Sequence, residues 1–185
     1  MKLGSNTFSK HLKTDQFSEP LIFWDTSFPA AIILEIGTRR DAAIYFAEKL
    51  LKDNVCIAFS THLCSEMVNL IVINKVMLGE GLKSNKEAKK VIDKDPSIIS
   101  SYIQDIHEAV DNFYGLLGLF KDRFYAILPT EPVVAKSIVE IKTKYKLNQG
   151  DAMHIGTMLT SQQRDIAAFD DDFYKVDGIN IWCKY

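Results

Sequence analysis

The sequence predicts an α/β domain with a mostly parallel central sheet, on three observations. Short apolar runs recur along the chain, the first being Leu21-Ile22-Phe23-Trp24. A run that is apolar on both sides of the pleat suits a strand buried on both faces of a parallel sheet. The first four such runs are separated by stretches of helical period, the alternation from which parallel strand–helix–strand units are built. Finally, 185 residues with 47% hydrophobic and 25% charged side chains fit one domain with a sizeable core and exclude wholesale disorder.

Residues 1–20 are polar, rich in Ser, Thr, Lys and Asn, and read as an N-terminal arm preceding a domain over 21–185. The first strand, 21–24, ends at Asp25-Thr26-Ser27. A helix is expected over 28–37, with Pro29 in its first turn, where no N–H is needed. Thr38 opens a second helix in a capping-box-like start with Asp41, and Ala43, Phe46, Ala47, Leu50 and Leu51 keep its period. Residues 55–59 form the second strand. Ser60 and Thr61 then offer N-cap hydroxyls to a helix that reaches about Leu78 and contains Glu66.

Gly79 and Gly81 open a helical section over about 79–122. It comprises a lysine-rich helix from about Asn85, an interruption at Pro96, and a long amphipathic helix over 98–120. The third strand, 124–128, closes at Pro129. A helix over 131–145, with Pro132 near its start, is followed by a helix over 149–161, a strand over 166–169, a turn, and a last strand over 179–182.

The net charge of −2 gives no global attraction to nucleic acid, so such a partner needs a local basic surface. Arg39-Arg40, the lysines between 83 and 94, and Lys142, Lys144 and Lys146 are the candidates, although lysine-rich helices are usually just solvated faces. Cys56, Cys64 and Cys183 form no CxxC pair and fit core positions in a reducing compartment better than a disulfide framework. No apolar run approaches the roughly 18–20 residues that a membrane span needs. Residues 1–20 lack the apolar core of a signal peptide, so the expected location is cytoplasmic, without a membrane partner.

Four acids stand at element ends: Asp25 after the first strand, Glu66 on the helix after the second, Asp151 opening the helix over 149–161, and Asp170 after the strand over 166–169. In open parallel sheets ligands bind beyond the carboxyl ends of the strands, so all four can converge on one edge. Each also has a plainer reading. Asp25 reads as a turn or cap residue, Asp151 as a complement to a helix N-terminus, and Asp170, in a run of three acids, as part of a solvated turn. Glu66 is the least easily dismissed, because it sits in an otherwise apolar helix where a buried carboxylate is costly unless paired or bound to a metal. Four carboxylates in one cleft would raise one another's pKa, a conflict that a divalent cation removes. Oxygen ligands without Cys or paired His favour Mg²⁺ or Mn²⁺ over zinc.

These residues resemble the PIN-domain nucleases, and among them the VapC-type toxins of toxin–antitoxin modules. The matching pieces are residues 22–27 (Ile-Phe-Trp-Asp-Thr-Ser), 60–66, 150–155 (Gly-Asp-Ala-Met-His-Ile) and 169–173 (Phe-Asp-Asp-Asp-Phe), in the family's order over roughly residues 21–183. The resemblance implies a three-layer α/β/α sandwich. It also implies a metal-dependent endoribonuclease in which Asp25, Glu66, Asp151 and Asp170 hold one or two Mg²⁺ (or Mn²⁺) ions that activate water for hydrolysis of RNA. Such toxins commonly form homodimers and are silenced by an antitoxin protein. The family usually carries Thr or Ser two residues before the fourth acid, where this chain has Ala168.

Thr26 and Ser27 are candidates for positioning a ligand carboxylate or a phosphate. Asp172 is a candidate for support from outside the ligand set, and otherwise a turn residue. His154, one helical turn after Asp151, reads first as a packed or hydrogen-bonded neighbour of the site and second as a ligand. Two other readings of a PIN fold stay open: a nuclease of RNA processing outside toxin–antitoxin systems, and a non-catalytic binding module. A phosphatase of the haloacid dehalogenase type also places an Asp after its first strand, but it needs a second Asp where Ser27 stands.

Overall fold

The computed structural model of the protein describes residues 20–129 and 132–183. The expected N-terminal arm therefore lies, apart from Pro20, outside the described residues. The strands are β1 (Leu21–Trp24), β2 (Cys56–Ser60), β3 (Phe124–Ile127), β4 (Asp165–Ala167) and β5 (Asn180–Trp182). They form one sheet in the order β3-β2-β1-β4-β5, and every pairing is parallel. All four residues of β1 and all five of β2 are buried, which is why both runs, Ser60 at the end of β2 aside, are apolar without alternation.

The helices are α1 (Ser27–Ile33), α2 (Gly37–Lys52), α3 (His62–Gly79), α4 (Asn85–Lys94), α5 (Ile103–Gly118), α6 (Pro132–Tyr145) and α7 (Gln149–Thr160). One core cluster joins Ile22, Trp24, Ile57 and Phe59 to Phe28, Phe46, Met67 and Phe113, so α1, α2, α3 and α5 cover one face of the sheet. The other cluster joins Leu21, Phe23 and Ile166 to Ile138, Ala152, Ile155 and Met158, so α6 and α7 cover the other. The result is the three-layer α/β/α sandwich. On the second face Gly156 lets α7 lie against α6, since a Cβ there would stand 2.8 Å from the Ile138 side chain and 3.1 Å from its Cα.

The chain runs outward from β1 through β2 to β3, then returns to place β4 on the other side of β1. Parallel crossovers of one hand put the helices before and after that reversal on opposite faces. The reversal lies between β1 and β4, and its crevice at the strands' carboxyl ends is where such sheets bind ligands.

Several boundaries differ from the sequence expectation. The first helix ends at Ile33, not at 37, because Glu35 adopts a left-handed backbone with φ 52° that breaks the helical path. The expected capping box at Thr38 and Asp41 does not form: α2 starts at Gly37, and its N-cap is Ile36 without a side-chain bond. The long helix expected over 98–120 is divided into a 3₁₀ segment, Pro96–Tyr102, and α5. Asp95 closes the start of that segment by accepting from Ser97 N at 3.0 Å. Finally, β4 ends at Ala167: Ala168 N still donates to Trp182 O of β5, but Phe169 N turns from the β1 backbone to Ser27 Oγ.

Candidate active site

Asp25 extends β1 by one residue, its N–H donating to Ala167 O at 3.1 Å, and its side chain turns back on the start of α1. Oδ2 accepts from both Ser27 N (2.9 Å) and Ser27 Oγ (2.5 Å). The turn-and-cap reading of Asp25 is thus observed, and it fixes the carboxylate in the crevice beside β4. Ser27 Oγ in turn accepts from Phe169 N at 2.9 Å. One hydroxyl therefore ties the first acid to the segment that carries the fourth, at a site where Ala168 offers none.

Asp151 lies in the first turn of α7, its backbone N–H donating to Asn148 Oδ1 (2.9 Å) and its Oδ2 accepting from Asn148 Nδ2 (2.7 Å). Capping and the macrodipole place a carboxylate there. Asp170 N-caps the 3₁₀ turn Asp171–Lys175 through Asp172 N (2.8 Å). Asp172 itself pairs with Lys175. Asp25, Thr26, Ser27, Glu66, Asn69, Leu70, Asp151 and Asp170 line one cleft of about 250 Å³, so the structure brings the four expected acids together. Thr26 and Ser27 belong to that lining, whereas Asp172 and His154 do not.

Glu66 is held differently from the aspartates. Its Oε2 accepts from Thr26 Oγ1 at 2.5 Å and stands 2.8 Å from His154 Nε2, while Oε1 lies 3.0 Å from His62 Nε2. His154 is 1% exposed, and its Nε2 also lies 3.1 Å from Thr26 Oγ1 and 3.8 Å from Asp25 Oδ1. His154 is thus a hydrogen-bonded neighbour of the site. His62 was not among the expected residues, although its place four residues before Glu66, on one face of a helix, is a signal the sequence carries.

Electrostatics separates the acids. Burial pushes the Asp25 carboxyl above its usual range, although His154 and the Ser27 hydrogen bonds hold it back. Burial, with the charges of Asp170, Asp25 and Asp172, pushes Asp151 up to about 6. For Glu66 burial acts in the same direction, but hydrogen bonds from His154 and Thr26 and the two imidazoles outweigh it and hold the carboxyl at about 2. His154 is raised: burial opposes its charge, and the bond to Glu66 and the nearby carboxylates prevail.

Among the described residues no three His, Cys, Asp or Glu side chains are gathered closely enough, as they stand, to hold an ion. The donor chemistry of the cleft nevertheless suits a hard divalent cation, since its acidic lining is all oxygen and the Asp151 carboxyl, raised first by burial and then by the neighbouring carboxylates, is in a setting that a cation relieves. Of the basic candidates, Lys142 lies against the start of α7, donating to Gln149 Oε1 at 2.9 Å. Arg39 lies over the Phe169 ring, 5.9 Å from its centroid, one residue before Asp170.

Comparison with known proteins bears on the fold and the family likeness. The family profile described as PIN domain matches residues 115–179, a span that contains Asp151 and Asp170. Ribonuclease VapC6 of Methanocaldococcus jannaschii is 28% identical over 133 residues, covering 72% of this chain and 80% of its own. The crystal structure of VapBC2 from Rickettsia felis bound to a DNA fragment from their promoter contains a chain of the same fold. It superposes with a TM-score of 0.50 at 12% identity, over 87% of this chain and 96% of that one. The chain is thus similar to PIN-domain proteins over residues 115–179 and to a VapC-type ribonuclease over most of its length.

Proposed function

We propose that the protein is a divalent-metal-dependent endoribonuclease, the toxin of a type II toxin–antitoxin pair. The observation that carries the reading is the convergence of Asp25, Glu66, Asp151 and Asp170, from four separate elements, on one cleft at the sheet's switch point. The relative named a ribonuclease supports RNA as the substrate class.

Asp25, Asp151 and Asp170, with the charge of Glu66, would hold one or two Mg²⁺ or Mn²⁺ ions. Such an ion, when bound, supplies Lewis-acid activation of water and neutralises charge on the phosphate. The chain's own side chains do the positioning. Ser27 and Asn148 orient the carboxylates of Asp25 and Asp151, and Thr26 and His154 fix Glu66. Arg39, over the Phe169 ring, and Lys142, bonded to Gln149, are our candidates for contact with the RNA backbone.

The Rickettsia felis structure is of a VapBC pair, and by analogy we assign this chain an antitoxin partner; a homodimeric state is what the resemblance to VapC-type toxins implies. No helix among the described residues is long and apolar enough to cross a membrane, in keeping with a cytoplasmic site of action. The test is incubation of the purified protein with total RNA in Mn²⁺ and then in chelator. Discrete cleavage that chelator abolishes supports the proposal, and intact RNA in both contradicts it. Growth arrest on expression separates a toxin from a nuclease of RNA processing.

A further inference from the structure

Glu66 does not reach the cleft as a loose side chain. Thr26 and His154 hold Oε2, and His62 stands 3.0 Å from Oε1. The fourth side is Gly150: a Cβ built on it would lie 2.3 Å from Glu66 Oε1, inside any real contact between carbon and oxygen. Nothing else about Gly150 calls for glycine. It sits in the first turn of α7, and its φ is not among the positive ones, so alanine fits the backbone and has the higher helix propensity. What glycine supplies here is room for the Glu66 carboxylate.

We infer that Gly150 and His62 are positioning residues that, with Thr26 and His154, form a fitted socket for the Glu66 carboxylate. The socket decides where the second acid stands relative to Asp25 and Asp151. It also ties α3 to α7 on either side of the cleft, since His62 and Glu66 come from one helix and Gly150 and His154 from the other. The atom that a Gly150→Ala side chain would meet is the far end of a flexible side chain, so the fold accommodates the methyl by displacing the carboxylate. The substitution therefore separates folding from positioning. Its consequence for catalysis rests on the nuclease reading above, whereas the displacement does not.

The experiment compares wild type with Gly150→Ala, His62→Ala, His62→Gln and the double variant Gly150→Ala/Glu66→Asp, in thermal unfolding and in Mn²⁺-dependent cleavage of a fluorescent RNA. Gly150→Ala is expected to keep cooperative unfolding, with Tm lowered by no more than the loss of the Glu66 hydrogen bonds allows, while lowering kcat at least tenfold, with KM within about threefold. Glu66→Asp, shorter by one methylene, is expected to recover part of that loss in the double variant, a coupling that independent sites do not show. His62→Gln, which keeps a donor, is expected to retain more activity than His62→Ala. Wild-type kcat in both Gly150→Ala and His62→Ala overturns the socket.

If the wild type cleaves no RNA, the nuclease reading fails by itself and the socket is read by imidazole ¹H–¹⁵N spectra. There the slowly exchanging His154 Nε2 proton is expected in wild type and lost in Gly150→Ala. Its survival in that variant contradicts the proposal.

Discussion

His154 Nε2 stands 2.8 Å from Glu66 Oε2, and that contact joins α7 to α3 beneath a cleft lined by four acids. With the imidazole 1% exposed, its removal leaves both a void and a carboxylate short of a donor. His154→Ala is expected to lower stability by about 2–4 kcal/mol, from the loss of a charged hydrogen bond and of buried volume. Urea unfolding at pH 7 measures it, and a loss below about 0.5 kcal/mol shows that the contact holds little.

Ser27 is expected to act on Asp25 and on the approach to Asp170 through one hydroxyl. Ser27→Ala removes the donor to Asp25 Oδ2 and the acceptor of Phe169 N. A hydrogen bond to a charged group is worth about 1.5–3 kcal/mol, so kcat should fall about tenfold or more. Ser27→Thr should restore most of it. Equal activity in Ser27→Ala and wild type shows that Asp25 needs no such orientation.

The burial of the site's carboxylates, added to by their mutual repulsion, gives the metal-free protein a defined pH dependence. Asp151 binds its proton more tightly folded, at about 6, than in an unfolded chain at 3.8. Its contribution therefore favours the fold below that window and is lost as pH rises from 3.8 through about 6. Asp25, also raised, acts with the same sign. His154, raised from 6.5, adds stability that is present below 6.5 and lost as pH rises beyond its folded value. Glu66 runs the other way, but its window lies between 4.5 and about 2, below the range in question. In chelator, Tm should therefore fall between pH 5 and pH 8, and Mn²⁺ should raise Tm more at pH 8 than at pH 5.

On the same argument, Asp151→Asn should raise the metal-free stability at pH 8 by about 1 kcal/mol once its opening to the cleft is allowed for, and Tm with it. It should also remove most of the response to Mn²⁺. A destabilised variant, or one that keeps the full metal response, contradicts this assignment of the crowding.

The parts legible in the sequence were those set by local pattern. Leu21 to Trp24 announced a buried strand because every side chain is apolar. Asp25 and Asp151 stand where a strand end and an N-cap put them whatever else they do. What local pattern did not show was long-range pairing. Ala168 drew notice as a missing hydroxyl, yet Ser27 supplies one from 142 residues away in the chain. The Glu66 socket likewise depends on residues 88 and 40 positions distant, and the role of Gly150 as empty space appears only once α3 and α7 are docked.

The central claim is that the clustered aspartates carry metal-dependent cleavage of RNA. It is tested most directly by comparing wild type, Asp25→Asn and Asp151→Asn for cleavage of one RNA in Mn²⁺, with circular dichroism confirming that each is folded. The account predicts cleavage by wild type that chelator stops, and a loss of at least a hundredfold in both variants. Undiminished cleavage by both folded variants would contradict it.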